Sequence, residues 1–398
     1  DEMRSTRTLG RWLLFVSPSL VVGVACANAD TNDAAVTVGE DASYVIDTDA
    51  RTDADVDIDC DAADACAPVG CESTDFCVVP NAVTPQIAVN AISGTAPDDV
   101  WFAGSRGTLL HYDGKELRAI DTQLPNALIA VWGVERNVAW VVPLNEAPLR
   151  VRVNAAGESE VSPVPGNVWP GPKEKVGRGR AIGGSKDAVW LVGDPADYPD
   201  DWVLNQNIRQ LVTDEDGGAT WRSPLTDCRP FLTCGPQLRA IYSFGPTSAW
   251  AMGVGGGFRL EAGGDAGTFA WTPYPLPLMT TFEGVWGTHA DDAWAVGTNG
   301  SIIRFGAAGE PRWEQQEPVV AVNLHAIWGS AKDDVWVVGD RGQVLHYDGA
   351  SWALAESGLP PVRSEAELYA VWGSGPDDVW IGGNGVLLHR SKQNRRRP

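Results

Sequence analysis

The most constraining feature of this chain is a repeat. Leu324-His-Ala-Ile-Trp-Gly-Ser-Ala-Lys-Asp-Asp-Val-Trp-Val-Val-Gly339 recurs as Leu368-Tyr-Ala-Val-Trp-Gly-Ser-Gly-Pro-Asp-Asp-Val-Trp-Ile-Gly-Gly383. Weaker copies begin near Ala91, Leu128, Arg180, Leu238 and Phe282. The second Trp of the unit falls at Trp101, Trp140, Trp190, Trp250, Trp294, Trp336 and Trp380, spaced by 39, 50, 60, 44, 42 and 44 residues. A unit of this size cannot bury an apolar face by itself, so the copies must pack against one another.

Inside the best copy, residues 324–328, 335–339, 343–347 and 351–354 read as four short strands, a to d. Asp348-Gly349 between the last two is a hairpin signal, because Gly accepts a positive φ at no steric cost. Gly and Pro are abundant, at 44 and 27, as many tight turns require. Seven four-stranded units with this period predict an all-β chain, a seven-bladed β-propeller of antiparallel blades. Fifteen of the 18 Trp then become building material. Seven fall on strand b, four on strand a (Trp132, Trp286, Trp328, Trp372) and four on strand d (Trp221, Trp271, Trp313, Trp352), and a packing role is expected for all of them. The seventh copy stops at His389 without a strand d. Residues 76–79 (Phe-Cys-Val-Val) are the spare β-prone run, and we expect them to pair with residues 386–389 and close the ring.

Three segments are expected: a signal peptide over 1–29, an Asp-rich linker over 30–70, and the propeller with a short basic tail over 71–398. Met3 is the expected start. Arg4, Arg7 and Arg11 precede an apolar stretch over 12–25, too short for a permanent span, which needs roughly 20 residues. That pattern is a secretory signal. Val24-Ala25-Cys26 fits a lipobox with Cys26 lipidated, although Gly23 replaces the usual bulky aliphatic. Ala27-Asn28-Ala29 fits ordinary cleavage after Ala29. Residues 30–77 then carry 14 acidic side chains against one Arg, so the linker should stay disordered and self-repelling. Its alternating Asp matches calcium-loop oxygen spacing but lacks the Gly and closing Glu of such loops. A solvated spacer is therefore expected and no cofactor, with calcium as the alternative. Cys60, Cys66, Cys71, Cys77, Cys228 and Cys234 suit disulfides in an oxidising compartment, Cys228–Cys234 being the favoured local pair. No metal site is expected.

With 52 acidic against 30 basic side chains and a net charge of −22, nucleic acid is excluded as main partner. Catalysis is not expected either. His111, His346 and His389 share one strand-c position, and the Asp pairs at 98–99, 291–292, 333–334 and 377–378 share a–b turns, where they can satisfy turn backbone. Repetition of this kind signals structure. No Ser-His-Asp spacing, phosphate loop or His-x-x-x-His pair is present. The irregular stretches are 165–179, 194–208 and 223–237, all at the ring end opposite the Asp turns, around the third copy. Loops of this kind carry binding. Trp169, Tyr198, Asp200, Asp201 and Trp202 are the candidate ligand-binding residues, with Arg178, Arg180 and Arg229 for an anionic group.

Asp214-Glu-Asp-Gly-Gly-Ala-Thr-Trp221 resembles the Asp-box of sialidase-like (BNR) propellers, with Asp214 in place of Ser/Thr. The body from about residue 78 resembles secreted bacterial propellers of the lipoprotein type, whose repeats read Trp-Gly-Ser-x-x-Asp-Asp-Val-Trp-x-x-Gly. The resemblance implies the fold, and it leaves function open. The expected function is a non-catalytic binding module of the bacterial cell envelope. It would be exported to the outer membrane, periplasm or exterior, monomeric, and attached to membrane only by lipid, with an envelope protein or a glycan as partner. The alternative is a sialidase- or lyase-like carbohydrate-active enzyme. Arg and carboxylates converging on the ring axis would mark that alternative, and an axis of small and apolar residues would oppose it.

Overall fold

The computed structural model describes residues 74–163, 179–194, 207–213, 219–222, 224, 237–262, 269–276, 280–306, 311–359 and 364–391. These form seven four-stranded antiparallel sheets. The a strands are Val89–Ala96, Leu128–Glu135, Gly179–Ser185, Leu238–Gly245, Phe282–His289, Leu324–Ala331 and Leu368–Gly375. Each touches the a strand before and after it, and the last touches the first, so the seven sheets close into a ring with strand a innermost. We number the blades one to seven in that order.

The core lies between blades. Seven buried clusters occur among the described residues, one at each junction. The strand-b indoles are the wedges, none more than 6% exposed. Each points forward to the next blade, where four of them meet a strand-d indole. Trp190–Trp271, Trp250–Trp313 and Trp294–Trp352 stand edge to face at 5.2, 5.0 and 5.4 Å, and Trp140–Trp221 at 6.3 Å. That geometry suits the aromatic quadrupole.

Closure follows the expected pairing. Cys77 and Val78 form the outer strand of blade seven, opposite His389 and Leu388. Phe76 then meets Trp336 at 5.1 Å and 88°. It occupies the place that a strand-d Trp takes elsewhere. Arg390 reaches Asp75 at 2.7 Å and lies 4.7 Å from the Trp336 ring, tying the two ends of the propeller together.

The c–d turns are built as expected. Oδ1 of Asp113 and of Asp348 each accepts two backbone N–H groups, from Lys115 and Glu116 and from Ala350 and Ser351. Gly114 and Gly349 follow with φ of 89° and 94°.

The Asp pairs of the a–b turns behave differently from expectation. The second Asp of each pair is the first residue of strand b, and its carboxylate serves side chains more than turn backbone. His111, His346 and His389 each place Nε2 2.7 Å from Asp99, Asp334 and Asp378. The hydroxyls of Thr95, Ser330 and Ser374, four residues before each Asp, donate to the other oxygen. Each imidazole stacks on the strand-b indole of its own blade at 3.7–4.1 Å. Blade five uses Arg304 in place of His, 4.7 Å from Trp294 and 2.8 Å from Asp292.

Candidate functional site

Strand a pairs only with strand b, so its second edge is left unpaired and turned to the axis. This edge presents backbone N–H and C=O groups there. All seven a strands line one cavity of about 340 Å3. The residue facing each strand-b Trp is Ser93, Trp132, Gly183, Tyr242, Trp286, Trp328 or Trp372, and every one of them lines it. Five are aromatic. The remaining lining is Ile, Val, Gly and Ser, with no charged side chain.

The strand-a indoles therefore do more than pack. Trp132, Trp328 and Trp372 are half-buried, while Trp286 is 4% exposed. In Trp286, Trp328 and Trp372 the far rim of the six-membered ring rests on the next blade. A Cβ added at Gly329, Gly373 or Gly94 would stand 2.6, 2.6 or 2.7 Å from Cη2 of Trp286, Trp328 or Trp372. This explains the Trp-Gly pairs of the repeat: a glycine in one blade seats the indole of the blade before. The rings are strung tangentially around the axis as a collar. Burial pushes the Tyr242 hydroxyl above its ordinary value, against a hydrogen bond from Trp286, so this phenol stays neutral.

Toward the other end of the ring, the second position of strand a carries the polar residues Asn90, Arg180, Arg239, Glu283, His325 and Tyr369. Most are committed to partners. Arg180 donates to Asp194 from Nε and Nη2 at 2.9 and 2.7 Å, and Arg239 lies 3.8 Å from the same carboxylate. His325 Nε2 is 2.6 Å from Asp340. Tyr369 donates to Glu367, and burial, then that carboxylate, pushes its hydroxyl well above the usual tyrosine range.

Of the residues expected to bind ligand, Arg180 is described, in strand a of blade three and paired with Asp194. Trp169, Arg178, Tyr198, Asp200, Asp201, Trp202 and Arg229 lie outside the described residues, as do Cys26, Cys60, Cys66, Cys71, Cys228 and Cys234. Cys77 is buried in the closing strand. A larger groove of about 840 Å3 runs between blades seven and one past Val78, Pro80, Pro97, Tyr112 and Pro376. Its carboxylate Asp378 is already held by Ser374 and His389. In the sequence the collar is hidden, because the Trp of strands a, b and d all look like packing material. The signal was present, since Ser, Trp, Gly, Tyr, Trp, Trp and Trp succeed one another at a single repeat position.

With this geometry in hand, the fold can be compared with solved structures. YCF48 bound to D1 peptide is similar over 80% of this chain and 96% of that one, at 19% identity and a TM-score of 0.56. The likeness is one of fold. The extracellular domain of BT4673 from B. thetaiotaomicron matches 80% of this chain and 39% of that one, at 12% identity and a TM-score of 0.56. Sqt1 of Chaetomium thermophilum, bound to the N-terminus of ribosomal protein L10, matches 80% and 100%, at 12% and 0.53. No family model and no curated protein sequence matches the chain. Among the described residues, no helix is long and apolar enough to cross a membrane.

Proposed function

We propose that this chain is an exported, lipid-anchored propeller that acts as a non-catalytic binding module at the bacterial cell envelope. The observation that carries this reading is the axis cavity, lined by aromatic, aliphatic and small residues from all seven blades. Such a wall suits holding a ligand. A sialidase-like site needs an arginine cluster and a Tyr/Glu pair, and most other glycosidases a pair of carboxylates; the cavity lining holds no Arg and no carboxylate. Two structures that share the fold hold protein segments, a D1 peptide on YCF48 and the N-terminus of L10 on Sqt1. A segment of an envelope protein is therefore the ligand class we favour, with a glycan as the alternative. Attachment would run through Cys26, with the Asp-rich stretch as spacer.

The test is crosslinking and pull-down from intact envelopes, paired with radiolabelled palmitate incorporation. Capture of a discrete envelope protein, and label lost in Cys26→Ala, is the expected result. Hydrolysis of a sialoside or another glycan by the purified chain would replace this reading with the enzymatic one. The blade-three loops enter through Trp169→Ala with Trp202→Ala. Unchanged binding on a glycan and envelope-protein array would remove them from the site.

A further inference from the structure

The axis cavity has a more specific chemistry than general stickiness. Five aromatic rings, Trp132, Tyr242, Trp286, Trp328 and Trp372, surround a space of about 340 Å3. That volume sits at the low end for small-molecule sites, enough for one compact group or one side chain. The unpaired edges of seven strands add backbone C=O and N–H groups to the wall. Indole and phenol faces carry negative quadrupole density and attract organic cations, most strongly where water is displaced. The molecule already uses this pairing elsewhere: Arg304 and Arg390 lie 4.7 Å from the Trp294 and Trp336 rings, and Arg259 lies 5.5 Å from Trp250. Those three positions are filled from within. The collar has the same ring chemistry and no cation among its lining residues. The chain as a whole is acidic, with a net charge of −22, and its long-range field favours cations over anions.

We infer that the collar is an aromatic cage for an alkylated ammonium group, presented either by a free quaternary amine or by a modified lysine on a partner. The inference rests on the binding-module reading and names the chemistry of its ligand. Anions are disfavoured by the same wall, which offers them aromatic rings of the wrong sign and no cationic side chain.

The experiment is saturation-transfer NMR and calorimetry on the full chain with three probes. These are choline, its neutral carbon isostere 3,3-dimethylbutan-1-ol, and an acetylated Gly-trimethyllysine-Gly amide. We expect both cations to bind and compete with each other, and the neutral isostere to bind at least about tenfold more weakly. Trp328→Leu with Trp372→Leu should weaken choline by about tenfold or more. Trp132→Leu, a single change at a half-buried position, gives the same direction with less risk to folding, and circular dichroism confirms the fold of both. Choline without the peptide would assign a free amine, and the peptide without choline a partner side chain. Equal binding of the neutral isostere, or no transfer to either cation, overturns the inference. If that happens while the envelope partner is still captured, the binding-module reading survives. If choline binds and no partner is captured, the cage stands and the envelope-protein ligand favoured above falls.

Discussion

Blades one, five, six and seven differ from blades two, three and four at one place. In the first group strand b opens with Asp99, Asp292, Asp334 or Asp378, clamped between a hydroxyl and a His or Arg that lies against the strand-b indole. In the second group the same position is Val138, Ala188 or Ser248, and strand c offers Arg150, Gln210 or Arg259 opposite the Trp. The indole wedges remain on both sides, all buried. The ring thus has two kinds of fastening. Apolar wedges run all the way round, while polar clamps secure the a–b hairpins on one arc only. In the sequence, the long insertions of the repeat separate the copies of this second group. Regularity has been kept where the ring closes and relaxed where the sequence varies.

The strongest way to break this comparison is to remove wedges on both arcs. Trp336→Ala and Trp190→Ala should each cost about 3–5 kcal/mol in denaturant unfolding, because each deletes a fully enclosed ring. A large difference between them would mean that the clamps carry the core as well. Next comes the clamp itself. Asp99 is 0% exposed and holds His111, Thr95 and the backbone N–H of Asn137. Asp99→Ala should cost about 1–3 kcal/mol, since buried His111 and the less buried Asn137 and Thr95 lose their acceptor.

A smaller effect is expected on the acid limb of stability. Burial pushes the Asp334 carboxyl up, but hydrogen bonds from His346 and Ser330 outweigh it, and the group ends below its ordinary value. Its contribution is therefore present above the unfolded carboxylate pKa and lost as the pH falls through the folded one. Asp334→Asn should flatten that limb by about 1 kcal/mol, discounted for its partial exposure, as seen in thermal melts between pH 6 and pH 3. The smallest effect belongs to Asp98. It pairs with Arg136 at 2.9 and 2.6 Å across blades one and two, but both side chains are exposed. Asp98→Ala should leave the melting temperature unchanged within error.

Much of the fold could be read in the chain because the wedge repeats. The seven strand-b indoles, the strand-d indoles that meet them and the pairing of residues 77–78 with 388–389 all follow from one period and one missing strand. The clamps were half visible. The strand-c His were recognised as structural, yet their partners were assigned to turns, because an Asp pair beside Gly and Pro looks like turn chemistry. The clue lay in co-occurrence: each His follows its Asp by 11 or 12 residues, and each Asp follows Ser or Thr by four. The collar was hidden by a different cause. A repeat shows which residues are equivalent, but it does not tell which strand is innermost, and only the innermost strand meets the axis.

The shared blade has a consequence for how such a chain is made. Asp75, Phe76 and Val78 enter the world early and wait for Arg390, Trp336 and Leu388, synthesised more than 250 residues later. Until then six finished sheets stand beside one with a naked margin, open to stray pairing. A product cut short before Val386 would lack the strand that latches the whole circle, so closure is withheld until the seventh blade has been made.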